Sequence, residues 1–441
     1  MRNFSQLANV LFQEASYAQP AFWGSLIREV AKKQERENIV VVMTEGGFRG
    51  NTKYAYLGLV QHTRAIQSDL SVYFLGIDNV VNPLREKGLP VLSTQTNWQQ
   101  SALVALRAKI LIRGTHDLMR ADHWFWQSCF EGALKLQLWH GIPVKKGCAT
   151  MLENRPDYYH FAKLLYDTYS ADIVIAESAI CKEAYSQDWP KAHVLAFGSP
   201  RNDILVSNDT FGELWQLGVD LHLISILEKE RTLGKRVILC CPTYREAYDK
   251  SGLFLRNWFS ALSNLTALPD IKVCFKAHHC QFTEHPGDEQ KIMRFCMDWG
   301  VLYIPPMDDI HPYYLMSDAL LTDYSSTYMD YMILKRPIIF YRPDMAEYQH
   351  TRGLRTYTNF KVEAIGPVAT DAHRLREAVA RELKRPSYTE EQEKFALLFH
   401  RNAKDGRATK RLCNLIESIT TQEFYPNGII TLEKEEFYER D

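Results

Sequence analysis

Short runs of β-branched and apolar residues, each followed by a longer stretch of helical character, recur along this chain in two successive sets. That alternation points to parallel sheets, because parallel neighbours cannot be joined by a tight turn and the crossover helices that join them leave the strands apolar on both faces. The first set places strands at 38–43, 71–75, 109–113, 134–139, 172–176 and 193–197, and the second at 236–241, 271–276, 301–304, 319–322 and 337–341. Between them, 208–235 is polar and helical. A chain of 441 residues exceeds what one hydrophobic core organises, so the pattern divides it near residue 215. The expected architecture is α/β, with two Rossmann-like domains facing a cleft: 1–215, then 216–420 including terminal helices, then an acidic tail over 421–441.

Composition narrows the function classes. A net charge of −1 gives no global field to recruit nucleic acid or an anionic membrane, so any ionic recognition is local. Nine cysteines, scattered from Cys129 to Cys413, form neither a CxxC pair nor a zinc-spaced cluster, which suits a reducing cytoplasm. The N-terminus lacks the unbroken apolar core of a signal peptide, and no segment approaches the ~20 apolar residues of a membrane span. Leu7, Val10, Leu11, Phe22, Trp23, Leu26 and Ile27, followed by Arg28, Lys32 and Lys33, fit either an interfacial helix or, by preference, a helix packed on the protein's own core. Asp308 and Asp309 are the one adjacent acidic pair near the crevice. They read as caps of a helix over 311–317 more readily than as metal ligands, and no DxD triplet occurs.

Ligands of open parallel sheets bind outside the carboxyl ends of the strands, so the residues after each strand carry the chemistry. In the second half one strand runs into Thr243, Tyr244 and Arg245, the next into Lys276, His278 and His279, and a third into Thr322, Asp323, Ser325 and Ser326. A helix starting near Thr327 would add a partial positive charge at the same edge, although Thr327 with Asp330 also fits an ordinary capping box. Hydroxyls, a guanidinium, an ammonium and imidazoles converging in this way suit phosphate. In the first half, the strand at 134–139 delivers His140, whose ordinary pKa suits a general base, with Gly141 leaving room for substrate and Lys145 and Lys146 close behind. Glu177 is a second candidate base. Arg201, with Asn202, reads either as an anion ligand or as a residue that holds its turn through Asp203. The Gly46–Gly50 stretch lacks dinucleotide-fingerprint spacing and reads as an acceptor-side loop.

Taken in order, Trp139-His140-Gly141-Ile142-Pro143-Val144-Lys145, Gly198-Ser199-Pro200-Arg201-Asn202-Asp203, Pro242-Thr243-Tyr244-Arg245, Lys276-Ala277-His278 and the run from Ser317 to Ser326 resemble the CDP-glycerol glycerophosphotransferase family of teichoic-acid and capsule synthesis. The likeness continues through Asp330, Pro337, Asp344, Tyr348, Arg352 and Gly353 to Asp405-Gly406, and so covers about 36–418. One departure is His279, where the family usually has proline.

The resemblance implies a glycosyltransferase-B-like fold and transfer of glycerol phosphate, or a related polyol phosphate, from a CDP-activated donor to an acceptor hydroxyl, with release of CMP. His140 then looks like the base and His278 like the catalytic histidine beside the donor phosphates. Thr243, Arg245, Lys276, Thr322, Asp323, Ser325 and Ser326 look like the donor pocket, while Gly141, Lys145, Glu177, Arg201 and Asn202 read as acceptor-side or supporting residues. The expected partners are CDP-glycerol or another CDP-polyol and a polymer or lipid-linked acceptor, at the inner face of the cytoplasmic membrane if peripheral contact occurs. No nucleic acid partner, no metal site and no firm cofactor are implied, with a divalent cation left open. The rival functions are a nucleotide-sugar glycosyltransferase or epimerase on the same architecture, and a catalytically silent nucleotide-binding scaffold.

Overall fold

The computed structural model describes residues 20–43, 46–114, 121–154, 168–207, 211–245, 252–351, 365–386, 388–401 and 404–421. The first sheet contains β1 (Glu37–Met43), β2 (Ser71–Gly76), β3 (Val91–Ser93), β4 (Ala108–Arg113), β5 (Leu134–Gln137), β6 (Ile173–Ala176) and β7 (His193–Ala196), in the order β3-β2-β1-β4-β5-β6-β7. The second contains β8 (Arg236–Cys241), β9 (Ile271–Phe275), β10 (Leu302–Tyr303), β11 (Ala319–Thr322), β12 (Ile338–Tyr341) and β13 (Val368–Ala369), in the order β10-β9-β8-β11-β12-β13. Every pairing is parallel, with Val41 opposite both Tyr73 and Leu111, and Leu239 opposite both Cys274 and Leu320. In each sheet the strand order reverses beside the first strand, between β1 and β4 and between β8 and β11. That is where such sheets open a crevice.

Alternation along the strands explains why these runs are apolar throughout. Val40 and Val42 of β1 face one core while Ile39, Val41 and Met43 face another, and in β8 Val237, Leu239 and Cys241 part from Ile238 and Cys240 in the same way. The core containing Val40 and Leu57 also contains Leu239, Tyr314 and Phe340, so one continuous apolar body joins the two halves.

The expected two Rossmann-like domains are what the chain forms, with local differences. The edge strands β3 and β13 were not expected, since runs of two or three residues are too short to show a period. The strand expected over 134–139 stops at Gln137, because Trp139 turns into the left-handed region at φ +53°. The last helix, Ala408–Thr421, was assigned to the second domain but returns to the first. Asp203 accepts from the backbone N–H groups of Ala408 (3.0 Å) and Thr409 (2.7 Å), satisfying two otherwise orphaned donors of that helix start, and Lys109 Nζ donates to the carbonyl of Thr420 (3.0 Å) at its other end. Of the N-terminal residues singled out above, Ile27 is buried against Trp126 and Phe130, as the core-packing reading expects, while Leu26 is exposed. Leu7, Val10 and Leu11, the side chains of Phe22 and Trp23, Arg352, Gly353 and residues 422–441 lie outside the described residues. No disulfide joins any two of the nine cysteines, and all but Cys280 are buried.

Candidate functional site

Strand ends from both sheets meet across the crevice. From the first, β5 is followed by His140, which is exposed, its ring 4.2 Å from that of Trp139. Gly141 closes on the opposite domain: a Cβ there would lie 2.7 Å from Ser326 Oγ, so only glycine lets the His140 turn approach the Ser325–Ser326 segment this closely. Lys145 reaches over as well, with Nζ 3.4 Å from Thr243 Oγ1 and 5.7 Å from the centre of the Tyr348 ring.

On the second domain His278 follows β9 and caps the helix His279–Glu284. Its Nδ1 accepts from the Cys280 N–H at 3.2 Å, which leaves the hydrogen of the neutral ring on Nε2. Burial, then the charges of His279, Arg49, Lys145 and His140, push its pKa well below the ordinary value and favour that neutral form. His279 is held at about 3, by burial first and then by Arg49 and Lys276. Lys276 is lowered to about 7, again by burial first and Arg49 next, while its Nζ donates to the carbonyls of Pro305 (2.7 Å) and Pro306 (2.9 Å). Ser325, Ser326 and Thr327 are half-buried at the rim. Among the described residues His278, His279 and Cys280 bring potential metal-ligand atoms within 4.8 Å of one another. Arg49 and Lys145, joined by Lys276 when it is protonated, act on these imidazoles with positive charge, which suits an anion rather than a cation.

Other expected donor-pocket residues are committed elsewhere. The Arg245 guanidinium donates to Asp344 Oδ2 through Nε (2.9 Å) and Nη2 (2.7 Å), to Asp323 Oδ2 (3.2 Å) and to the Thr243 carbonyl (2.7 Å). Asp323 is fully buried and also accepts from the Thr243 and Tyr324 N–H groups, and Thr322 Oγ1 donates to the Cys241 carbonyl. These contacts tie the segment that follows β8 to the one that follows β11.

The supporting residues form pins between the domains. Arg201 was expected to engage either an anion or Asp203. Instead it makes a bidentate pair with Asp330 (3.0 Å at both Nε and Nη2) and approaches Glu177 at 3.4 Å, all of them buried. Asn202 donates to the same Asp330 at 3.1 Å. Asp330 therefore does not serve the capping box expected with Thr327, and the Thr327 N–H faces Ser325 Oγ instead. Glu177, offered as a second base, is enclosed without exposure. Burial raises its pKa against the opposing pull of Arg201, and Ser199 donates to it at 2.9 Å.

The acidic pair is likewise neither a cap nor placed as a metal site. Asp309 accepts from Lys53 Nζ (2.9 Å), Tyr54 OH (2.5 Å), the Gly50 N–H (3.3 Å) and His311 Nδ1 (3.0 Å), and Asp308 accepts from the Asp220 N–H and the Tyr313 hydroxyl. The Gly46–Gly50 loop, expected on the acceptor side, is pressed on the second domain. A Cβ on Gly47 would lie 2.5 Å from the Met307 carbonyl oxygen, and Arg49 donates to Pro306 O (2.9 Å) and meets His279 Nδ1 (3.3 Å). Sequence reasoning passed over Arg49. The available signal was a basic residue at the end of a glycine-rich turn after a strand.

The sequence matches the family described as CDP-glycerol:poly(glycerophosphate) glycerophosphotransferase over residues 67–418. It is 29% identical over 303 residues to the teichoic acid poly(glycerol phosphate) polymerase of Staphylococcus epidermidis, covering 65% of this chain but 39% of that protein. It is 28% identical over 312 residues to the teichoic acid glycerol-phosphate transferase of Staphylococcus aureus, covering 67% and 74% respectively. Among solved structures it superposes on the wall teichoic acid polymerase TagF with a TM-score of 0.64 at 20% identity, over 96% of this chain and 99% of that one. A UDP-N-acetylglucosamine 2-epimerase from Listeria monocytogenes aligns at 0.51 and 15% identity over 89% and 99%, a likeness of fold alone. With its motifs in order along both domains and the match running through each of them, the chain belongs to the CDP-glycerol:poly(glycerophosphate) glycerophosphotransferase family.

Proposed function

We propose that this protein transfers glycerol phosphate, or a closely related polyol phosphate, from its CDP conjugate to an acceptor hydroxyl in the synthesis of a cell-surface polymer. The observation that carries the reading is the pairing of an exposed imidazole from one domain with a neutral, cation-flanked imidazole from the other across a crevice bridged by Lys145. The acceptor oxygen attacks the β-phosphorus, its proton passes to His140, and the bond from that phosphorus to the CMP oxygen breaks. His278 donates from Nε2 to a phosphate oxygen, while Lys145, Lys276 and Arg49 offset the charge that builds on the departing CMP. Arg245, Asp323 and Thr322 act by fixing the loops of the pocket.

The relatives' names include glycerol-phosphate and ribitol-phosphate enzymes, so the donor class is a CDP-polyol. Among the described residues no helix is long and apolar enough to cross a membrane. CMP release measured with CDP-glycerol, CDP-ribitol and UDP-sugars, each with and without a glycerol-phosphate oligomer as acceptor, tests the reading. We expect acceptor-dependent CMP release from a CDP-polyol, cut by about 100- to 10,000-fold in His140→Ala, with donor affinity within a few-fold of the parent. Turnover of UDP-sugars alone, or full activity in His140→Ala, would refute it.

A further inference from the structure

His140 sits in a turn the chain would not adopt unaided. The residue before it, Trp139, is bulky and left-handed (φ +53°), a conformation that persists only where the surroundings hold it. Asn51 supplies much of that hold. Its Nδ2 donates to the carbonyls of both Leu138 and Trp139, each at 3.0 Å, and its Oδ1 accepts from the Arg201 N–H at 3.2 Å. A carboxamide alone meets these demands, with two hydrogens on one side facing two carbonyl oxygens and an acceptor on the other side facing an N–H. Further contacts brace the same turn: the Trp139 N–H donates to Gln137 Oε1 (2.9 Å), the Trp139 ring packs edge-on against Trp189 (4.9 Å), and beyond His140 the Gly141 carbonyl accepts from the buried Tyr185 hydroxyl (2.7 Å).

Asn51 is itself buried in the first turn of the helix Gly50–Ala65, whose neighbouring Gly50, Lys53 and Tyr54 all bind Asp309 of the second domain. The helix turn that clamps the His140 segment is thus fastened to the domain that carries His278.

We propose that Asn51 is a positioning residue for His140, its carboxamide locking the left-handed turn that presents the imidazole and linking that turn to the docked second domain. The proposal rests on the reading of His140 as the base. It explains why a buried polar side chain that cannot itself reach the crevice is fully hydrogen-bonded to the backbone on both sides of the site.

The test compares Asn51→Ala and the near-isosteric Asn51→Asp with the parent, each also in the His140→Ala background, by kcat, donor KM, calorimetric donor affinity and thermal melting. Asn51→Ala should lower kcat by about 10- to 100-fold, the scale of a misplaced catalytic group, with donor affinity within about threefold. It should add no further loss to the residual turnover of His140→Ala, because the two act as one unit. If the Asn51 variants do not fold, Tyr185→Phe, which removes only the hydroxyl on Gly141, should show the same kcat-only loss and the same non-additivity. Parent-like kcat in Asn51→Ala, or in Tyr185→Phe where the Asn51 variants do not fold, while His140→Ala is strongly impaired would overturn the positioning role and leave the base intact. An equal further loss in the His140→Ala background, or donor affinity falling in step with kcat, would make the role merely structural and overturn it. An active His140→Ala would instead remove the base reading itself.

Discussion

Replacing Asp309 by Asn should unfasten the two halves of the molecule. The carboxylate is buried and serves four donors, of which Lys53 Nζ and Tyr54 OH share Oδ2 while the Gly50 N–H and His311 Nδ1 meet Oδ1. Burial by itself would raise its pKa, but Lys53, His311 and the hydrogen bonds outweigh that and hold it well below the ordinary 3.8. At the other end of the pair burial prevails over Asp309, so the Lys53 ammonium is lowered from 10.5. The two ends differ because an ammonium taken fully out of water loses more than a single counter-ion restores, whereas the carboxylate gains from several donors at once. The intact pair therefore contributes little net stability, but breaking it leaves a buried ammonium and costs about 3–5 kcal/mol. That corresponds to roughly 6–20 °C of melting temperature for a domain of this size.

The sign of the pH dependence follows. In Asp309→Asn the folded-state pKa of Lys53 falls further, so the folded protein binds fewer protons than the unfolded chain, and stability lost at pH 6 is partly regained as pH rises toward 9. Scanning calorimetry of the parent, Asp309→Asn and the double variant Lys53→Met/Asp309→Leu at three pH values measures all of this, and the apolar double variant should recover most of the loss. A melting temperature for Asp309→Asn within about 2 °C of the parent at pH 7 would refute the reasoning.

Gly141→Ala should cost about 1–3 kcal/mol, because its Cβ would meet Ser326 Oγ at 2.7 Å, and adding Ser326→Ala should restore the melting temperature if that clash is the cause. Arg245→Ala should destabilise the second domain by about 3–5 kcal/mol by leaving Asp323 and Asp344 without their partner, and Arg245→Lys should not rescue it. Weakened donor binding at unchanged melting would instead make Arg245 a direct phosphate ligand. Lys276, held near 7, must be protonated to bind a pyrophosphate, so donor affinity measured by calorimetry should fall above pH 7, by up to about tenfold per pH unit. A dissociation constant that stays flat from about pH 6.5 to 8.5 would take Lys276 out of the contact.

The number of domains, the parallel sheets and the segments that border the crevice were legible in the sequence because each depends on short-range pattern. Uniformly apolar runs such as Val40–Val42 and Val237–Cys241 declare strands covered on both faces, and polar or glycine-bearing segments directly after them mark carboxyl ends. Strands of two or three residues at the edges, Val91–Ser93 and Val368–Ala369, carry too little pattern to be read.

Among the candidate residues, the type of side chain was readable but its partner was not. Arg201 could as well have served a phosphate or Asp203; what decides for Asp330, 129 residues away, is that the folded chain brings the two together out of water, where a guanidinium and a carboxylate must pair. The same holds for Lys53 with Asp309 and Arg245 with Asp344, and for the return of Ala408–Thr421 to the first domain. Sequence alone determined the two-sheet architecture and the residue types delivered to the crevice, because hydrophobic period and turn chemistry act over a few residues. Only the tertiary structure decided which of those residues stay open to a ligand and which are consumed holding the domains together, because burial, and with it the demand for a partner, arises from packing between segments hundreds of residues apart.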